Sequence, residues 1–359
     1  MPMETSSTSV ASPPENAAKA RRSRTPIVAA ALFIVLLAGL FIWRGTVSSL
    51  QDARQAAAAG EVGMATRAFE QYLATHPTDW SVRLEYGSFL KHQNAALALQ
   101  VLQQIPESAT EYIPAVRHIG QIALVGREHS LAEVSLKKLR ANDPNDFEVL
   151  QALALLYRRQ EKDNEALPLL VKCTELNPAR IENHLLLAQT YFSLRRPSEM
   201  TKPLRQALQL DPKNRDAHLN LAYSYVLQGE YEKARQEGEW SRQNDPGNAQ
   251  VWRVLSLIER DDANDELALK YARKGLQIDP NEIECRILEG QILAFQKKFQ
   301  EAYDRMLPVF KQQPREPRVV GVLAESTRVL GRGDEAAKFR KLLRELGNEN
   351  YLGNKKPGK

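Results

Sequence analysis

Pro144, Pro178, Pro212, Pro246, Pro280 and Pro314 fall at intervals of 34 residues, and nothing else in the chain limits its fold so strongly. A fixed period in the range of roughly 20–50 residues marks an array of repeated supersecondary units rather than one globular core. The length agrees, because 359 residues exceed the size at which single cores stop growing, about 250–300 residues. The prolines stand in the contexts DPND, NPAR, DPKN, DPGN, DPNE and QPRE. In each, proline ends one helix and a polar residue can begin the next. Other columns keep the same phase. Small residues occupy Gly120, Ala154, Ala188, Ala222, Ser256, Gly290 and Ala324; Leu153, Leu187, Leu221 and Leu255 precede the middle members, and Tyr157, Tyr191 and Tyr225 follow three residues after Ala154, Ala188 and Ala222. A second small column runs through Ala132, Ala166, Ala234, Ala268, Ala302 and Ala336, broken by Met200.

Within one period the spacing predicts two helices. Leu150, Leu153, Ala154 and Tyr157 share one helical face, and Ala166, Leu169, Leu170 and Cys173 share another. Asp163-Asn164 is placed to turn the chain and cap the second helix. Each unit is then a helical hairpin whose small columns allow close approach. Its leucines and tyrosines need a neighbouring hairpin to be buried.

This order of a large residue, Leu-small, Tyr, then Ala, a bulky residue and a closing Pro resembles the tetratricopeptide repeat. The match is strongest over about 113–316 and fades towards 350, where Leu346-Gly347-Asn348 replaces the closing proline. Before 113 the prolines Pro77 and Pro106 break the register, so 46–112 reads as an irregular pair of repeats and 113–350 as the main array. The polar stretch 106–114 is either a break between the two or a longer loop in a continuous array. The resemblance implies an all-α, right-handed superhelical solenoid whose concave groove is lined by the first helix of every hairpin.

The start of the chain has a different character. Residues 1–25, rich in Ser, Thr, Pro and Ala, read as a disordered cytoplasmic tail, and 351–359 as a flexible tail. Ile27 to Trp43 is a run of 17 residues without a charge, about 25 Å long as a helix and so able to cross a bilayer core. It predicts a transmembrane helix over 26–44. A cleaved signal peptide would have a shorter apolar run and a small-x-small site, which Phe41-Ile42-Trp43-Arg44 lacks. Lys19, Arg21, Arg22 and Arg24 precede the run, so the positive-inside rule turns it into a signal anchor with the repeats extracytoplasmic, in a bacterium periplasmic.

Little catalytic chemistry is legible. A net charge of +5 over the chain gives no phosphate-neutralising surface, so nucleic acid is excluded as a partner. Cys173 and Cys285 lie repeats apart and form no cluster with histidine at zinc-ligand spacing. His184 and His218 share their column with Trp252, which makes the column a slot for a bulky ring. Arg332-Gly333-Asp334 follows Gly331, in phase with Gly229, and reads as a turn between helices. No phosphate-binding loop, metalloprotease helix or nucleophile elbow is present. The expectation is a protein with no enzyme activity, catalytic residue, cofactor or metal.

Function is then expected on the repeat surface. By the resemblance, first-helix residues facing away from the partner helix line the groove. They are Arg117 and Gln121 in one hairpin, Gln151 and Arg158 in the next, then Gln189 and Phe192, Asn220 and Tyr223, Arg253 and Arg260, and Gln291 and Phe295. Amides, rings and guanidinium groups together suit a protein or peptide ligand. Arg158, Arg253 and Arg260 with Phe192 and Tyr223 predict a strip with cationic ends and an aromatic middle, matched by a segment with acidic ends and an apolar centre. The expected function is a membrane-anchored scaffold or adaptor for an envelope complex. A mitochondrial-type import receptor and a regulatory subunit of a separately encoded enzyme are the alternatives.

Overall fold

The structure, a computed structural model, describes residues 50–347. The two tails and the expected membrane helix over 26–44 lie outside the described residues, among which no helix is long and apolar enough to cross a membrane. Every regular element described is a helix.

The chain forms two compact units, divided between Asn142 and Asp143. In the first, a helical stretch over 50–58 precedes α1 (Val62–Thr75), α2 (Trp80–Leu90), α3 (Ala95–Leu102), α4 (Tyr112–Val125) and α5 (His129–Asn142). The stretch 106–114 falls inside this unit, between α3 and α4, which pack on each other. Pro114 enters α4 in its first turn, where a missing N–H leaves no ladder bond unmade. The core here gathers Phe69, Tyr86, Leu90 and Leu102 from three successive helices, with Phe69 and Tyr86 stacked at 5.1 Å.

The second unit is six hairpins: α6 (Phe147–Arg159) with α7 (Asp163–Leu176), α8 (Ile181–Ser193) with α9 (Pro197–Leu210), and α10 (Arg215–Gln228) with α11 (Tyr231–Asn244). The series continues with α12 (Ala249–Asp261) and α13 (Asp265–Ile278), α14 (Ile283–Phe295) and α15 (Phe299–Gln312), and α16 (Pro317–Val329) and α17 (Gly333–Glu345). Each helix packs on the next in sequence. In addition α10 meets α12, α12 meets α14 and α14 meets α16, an extent of contact that successive second helices do not reach. From α10 to α16 the first helices are therefore the more closely spaced, inner row of this unit.

Both turn types follow from the sequence. After Pro144, Pro212, Pro246 and Pro314 a polar side chain caps the next first helix: Asp146 accepts from the Val149 N–H at 3.1 Å and Asn214 from that of Ala217 at 3.0 Å, whereas Arg180 and Glu282 offer no side-chain cap. Between the helices of a hairpin one residue takes left-handed backbone, and these residues recur with the period of the array: Arg127, Glu161, Arg195, Gly229, Ala263, Lys297 and Gly331. The next N–H then reaches back over the turn, as from Lys162 to the Tyr157 carbonyl and from Glu230 to that of Tyr225, both at 2.9 Å. That bond satisfies a carbonyl the helix end would leave orphaned. The turn role of Gly331 is thereby met, and Arg332-Gly333-Asp334 leads into α17. One local expectation is corrected. Asp163 does not cap α7 but lies in its first turn, where the helix dipole favours a carboxylate, and the residue before it offers no side-chain cap.

The small columns are buried as expected, Ala154, Ala166, Ala222, Ala234, Ala268 and Ala302 all being inaccessible. Gly275 shows why size matters: a Cβ there would stand 2.6 Å from Cys285 Sγ and 3.3 Å from the Ala249 carbonyl.

Candidate functional site

The candidate groove residues divide between the units. In the first, Arg117 and Gln121 lie one turn apart on α4, and Gln121 accepts from Lys91 Nζ at 3.1 Å. The other ten belong to the first helices of the second unit.

There the side chains meet across hairpins in a regular way. Gln151 Nε2 donates to Asn183 Oδ1 at 3.1 Å, and the buried Asn183 donates to the Cys173 carbonyl at 3.3 Å. Gln151 is thus committed to joining α6 and α8. Arg158 donates to Gln189 Oε1 at 3.2 Å and holds its Nε 3.7 Å from Asp163. Phe192 meets Tyr223 edge-on with ring centroids 5.5 Å apart, and the guanidinium of Arg253 lies 5.5 Å from the Tyr223 centroid. Arg253 Nε is 3.8 Å from Glu282. Partners in this series are 29–32 residues apart rather than 34. Each residue therefore meets the next hairpin about one helical turn nearer its N-terminus, and the contacts run diagonally across the inner row.

The expected strip is corrected on two points. Arg260 is not on the diagonal of Phe192, Tyr223 and Arg253. It lies two turns further along α12, where it donates to Asp261 at 2.7 Å and to Gln291 at 3.5 Å. The arginines are also not open cations, since Arg158, Arg253 and Arg260 all have a carboxylate of this chain within 4 Å. The open part of the face is its middle. Phe192 is 45% exposed and Gln189, one turn before it on α8, is exposed as well, with Asn220 and Tyr223 half-buried on α10. Phe295, the last residue of α14, stands at the turn end of its helix and is 61% exposed.

Sequence reasoning missed the carboxylates of this face. Glu284 is bound at both oxygens by Arg318, at 2.7 and 2.8 Å, and Arg318 also donates to Glu316. The Arg318 hydrogen bonds hold the Glu284 carboxyl below its ordinary range, whereas burial pushes that of Glu282 up against the opposing influence of Arg253. The exchange of Glu284 for Arg318 one full period later was the available signal.

The ring slot is more specific than size. His184 Nε2 lies 2.8 Å from the Pro178 carbonyl, His218 Nε2 3.1 Å from that of Pro212, and Trp252 Nε1 donates to that of Pro246 at 2.8 Å. Arg286 reaches the Pro280 carbonyl, and in the first unit Arg83 reaches that of Pro77. In these five turns a nitrogen-bearing side chain six residues after the proline reaches the carbonyl that proline exposes, whereas Leu150 and Val320 fill the same position after Pro144 and Pro314. Among the described residues no cluster of His, Cys, Asp and Glu could hold a metal ion. A cleft of about 460 Å³ over α10, between α9 and α11, is lined by Arg205, Tyr225 and Lys233. A smaller one of about 290 Å³ occupies the equivalent place over α2, so both arise from the stacking of second helices.

The geometry defines a class, an array of helical hairpins with a diagonal ladder on its inner row, and the family comparison agrees. Tetratricopeptide repeat profiles match residues 147–180, 181–214 and 204–258, so these residues are tetratricopeptide repeats. Among curated proteins, the human NatB auxiliary subunit, N-alpha-acetyltransferase 25, is 31% identical over 185 residues, 48% of this chain and 19% of that protein. Anaphase-promoting complex subunit 3 of Schizosaccharomyces pombe is 24% identical over 216 residues, 58% of this chain and 31% of that protein. The chain spans only about a fifth of the length of the NatB auxiliary subunits it matches. Among solved structures, PilW, described as a type IV pilus biogenesis factor, aligns with a TM-score of 0.49 at 18% identity, over 60% of this chain and 100% of that one. YrrB, described as having an unusual peptide-binding site, aligns at 0.44 and 18%, over 54% and 96%.

Proposed function

We propose that this chain is a tetratricopeptide-repeat scaffold that takes an extended protein segment along the inner row of its second unit. What carries the reading is Phe192, whose exposed ring stands edge-on to Tyr223 in the middle of an otherwise paired face. An apolar side chain of the partner packs against these two rings, while Gln189 and Asn220 bond its backbone. Arg158 and Arg260 already have acceptors, so acidic groups of the partner add less than the apolar anchor. In pull-downs from membranes, Phe192→Ala and Tyr223→Ala should each reduce capture of the stable partner by roughly tenfold, in line with the loss of an interface anchor. Lys270→Ala, exposed on a second helix, should leave it unchanged. Loss with Lys270→Ala and retention with both ring variants would move the site to the outer row.

The same proposal includes anchoring by Ile27–Trp43, repeats on the extracytoplasmic side and service in assembling an envelope complex. Its support is the uncharged run and the basic flank before it. A reporter active only outside the cytoplasm, fused after Lys359, should be active. Activity of a cytoplasm-only reporter at that position would reverse the orientation.

A second reading, an auxiliary subunit of a separately encoded enzyme, is favoured by the 31% identity to the NatB auxiliary subunit. Co-purification of an acyltransferase activity, lost with the ring variants, would select it over an assembly scaffold.

A further inference from the structure

Residues 315–359 carry 11 basic and six acidic side chains, so the net charge of +5 for the whole chain equals theirs. Among the described residues the excess sits on α17, the last second helix. In the five hairpins before it the second helix packs on a following first helix, and one column stays buried at that contact: Leu170, Leu204, Gly238, Ala272 and Met306. At Gly238 the approach is so close that a Cβ would stand 3.0 Å from Leu255 of α12. The next member of the column is Arg340, and it is exposed. Ala337, Lys341 and Arg344 are exposed on the same side of α17, away from the buried Phe339 and Leu343. None of Lys338, Lys341 and Arg344 has a carboxylate partner among the described residues, and Glu325, in the field of Arg340, is already bound by Arg328. The other acids of this hairpin are Glu316, held by Arg318, Glu335, held by Arg332, and Asp334 and Glu345, which are free and stand at the two ends of α17. Glu301 and Asp304 lie on α15, on the covered side. The open end of the array is thus cationic where every earlier hairpin receives a helix.

We infer that this open end is a docking surface for an acidic helix of a partner protein, which takes the place of a further first helix and sets its carboxylates against Arg340, Lys341 and Arg344. The shape argues for a helix, because this side of a second helix receives one in each of the five hairpins before it. The charge argues for an acidic one. An apolar helix would bury three cations without partners, which is strongly unfavourable, whereas carboxylates can meet the guanidinium forks of Arg340 and Arg344 with two hydrogen bonds each. The surface is a strip along one helix rather than a plane, which suits a helix better than a bilayer. The inference goes beyond groove binding and requires neither Phe192 nor Tyr223.

The test titrates the full-length chain, in neutral detergent, into a fluorescent peptide of alanine with glutamate at every fourth position, about 18 residues long so that it can form a helix, and reads anisotropy. Saturable binding is expected. It should be absent for the same peptide with glutamine in place of glutamate, and should weaken as added salt shortens the screening length. Arg340→Gln and Arg344→Gln should each lower the affinity about threefold, and together roughly tenfold. Lys270→Gln with Lys274→Gln, the same change of charge on exposed positions of α13, should leave it unchanged, as should Tyr223→Ala. Because all these positions are exposed or half-buried, unchanged thermal midpoints will show that the fold is intact. A photoreactive benzoylphenylalanine in place of Ala337 should crosslink to the peptide. No saturable binding, equal losses from the α13 pair, no crosslink at 337, or tighter binding of an oligodeoxynucleotide or of phosphatidylglycerol micelles than of the peptide would each overturn the inference.

Discussion

The rings of Phe192 and Tyr223 belong to successive hairpins, and they meet at 64° with centroids 5.5 Å apart. Such pairs contribute about 0.5–1.5 kcal/mol beyond their buried area. A double-mutant cycle of Phe192→Ala and Tyr223→Ala, read by denaturant unfolding, should give a coupling energy in that range. Strict additivity would mean that the rings do not meet in solution.

The left-handed turn residues give a test of backbone strain. A Cβ at Gly229 would meet nothing within 4 Å, so at φ 74° the cost of Gly229→Ala is conformational. It should be about 1–2 kcal/mol. Ala263→Gly, at φ 62° in the equivalent turn, should instead be neutral or stabilising by up to about 1 kcal/mol. Equal destabilisation by both changes would remove the shared turn geometry.

Damage to one hairpin should stay local. Gly275→Ala places its methyl against Cys285 Sγ and the Ala249 carbonyl, and the carbonyl cannot rotate away as a side chain end could. A loss of about 1–3 kcal/mol is expected, with hydrogen exchange accelerating first over 249–295 and later over 147–180. Uniform acceleration throughout the second unit would mark it as a single cooperative block.

The Glu284–Arg318 bond ties α14 to α16 and makes stability depend on pH with a defined sign. Glu284 is held below its ordinary value of 4.5, so its contribution is complete above that pH and is lost as the pH falls through the lower folded-state value. Glu284→Gln should therefore lower the midpoint near neutrality and flatten its decline in acid. An unchanged acid limb would mean that the bond contributes nothing to folding.

Both thiols should be inert in the native chain. Burial pushes Cys173 up to about 11 and Cys285 up to about 12, and both side chains are inaccessible. Thiolate is the reactive form, so a disulfide-exchange reagent should label neither thiol until the protein unfolds, and then both. Prompt native labelling at 285 would mean that the second unit opens near α14.

What the sequence determined by itself was everything that repeats within a hairpin. Helix faces, capping polar residues and small columns depend on spacings of three, four and thirty-four residues, which are properties of the chain before it packs. The proline period, the buried alanines and the turn at Gly331 were legible for that reason. The histidine and tryptophan slot was legible as a position, but its chemistry, an N–H aimed at the proline carbonyl, appears only once the turn folds back. The functional face depended on tertiary structure still more. Whether Arg253 points at Tyr223 or Arg260 at Asp261 is decided by how far one hairpin rotates on the next, and close packing around residues such as Gly275 and Cys285 sets that rotation. Its result, an offset of about one turn between successive first helices, turned expected columns into a diagonal and gave each arginine a carboxylate. A repeat period records where the units are; the packing between them determines which side chains remain open to a partner.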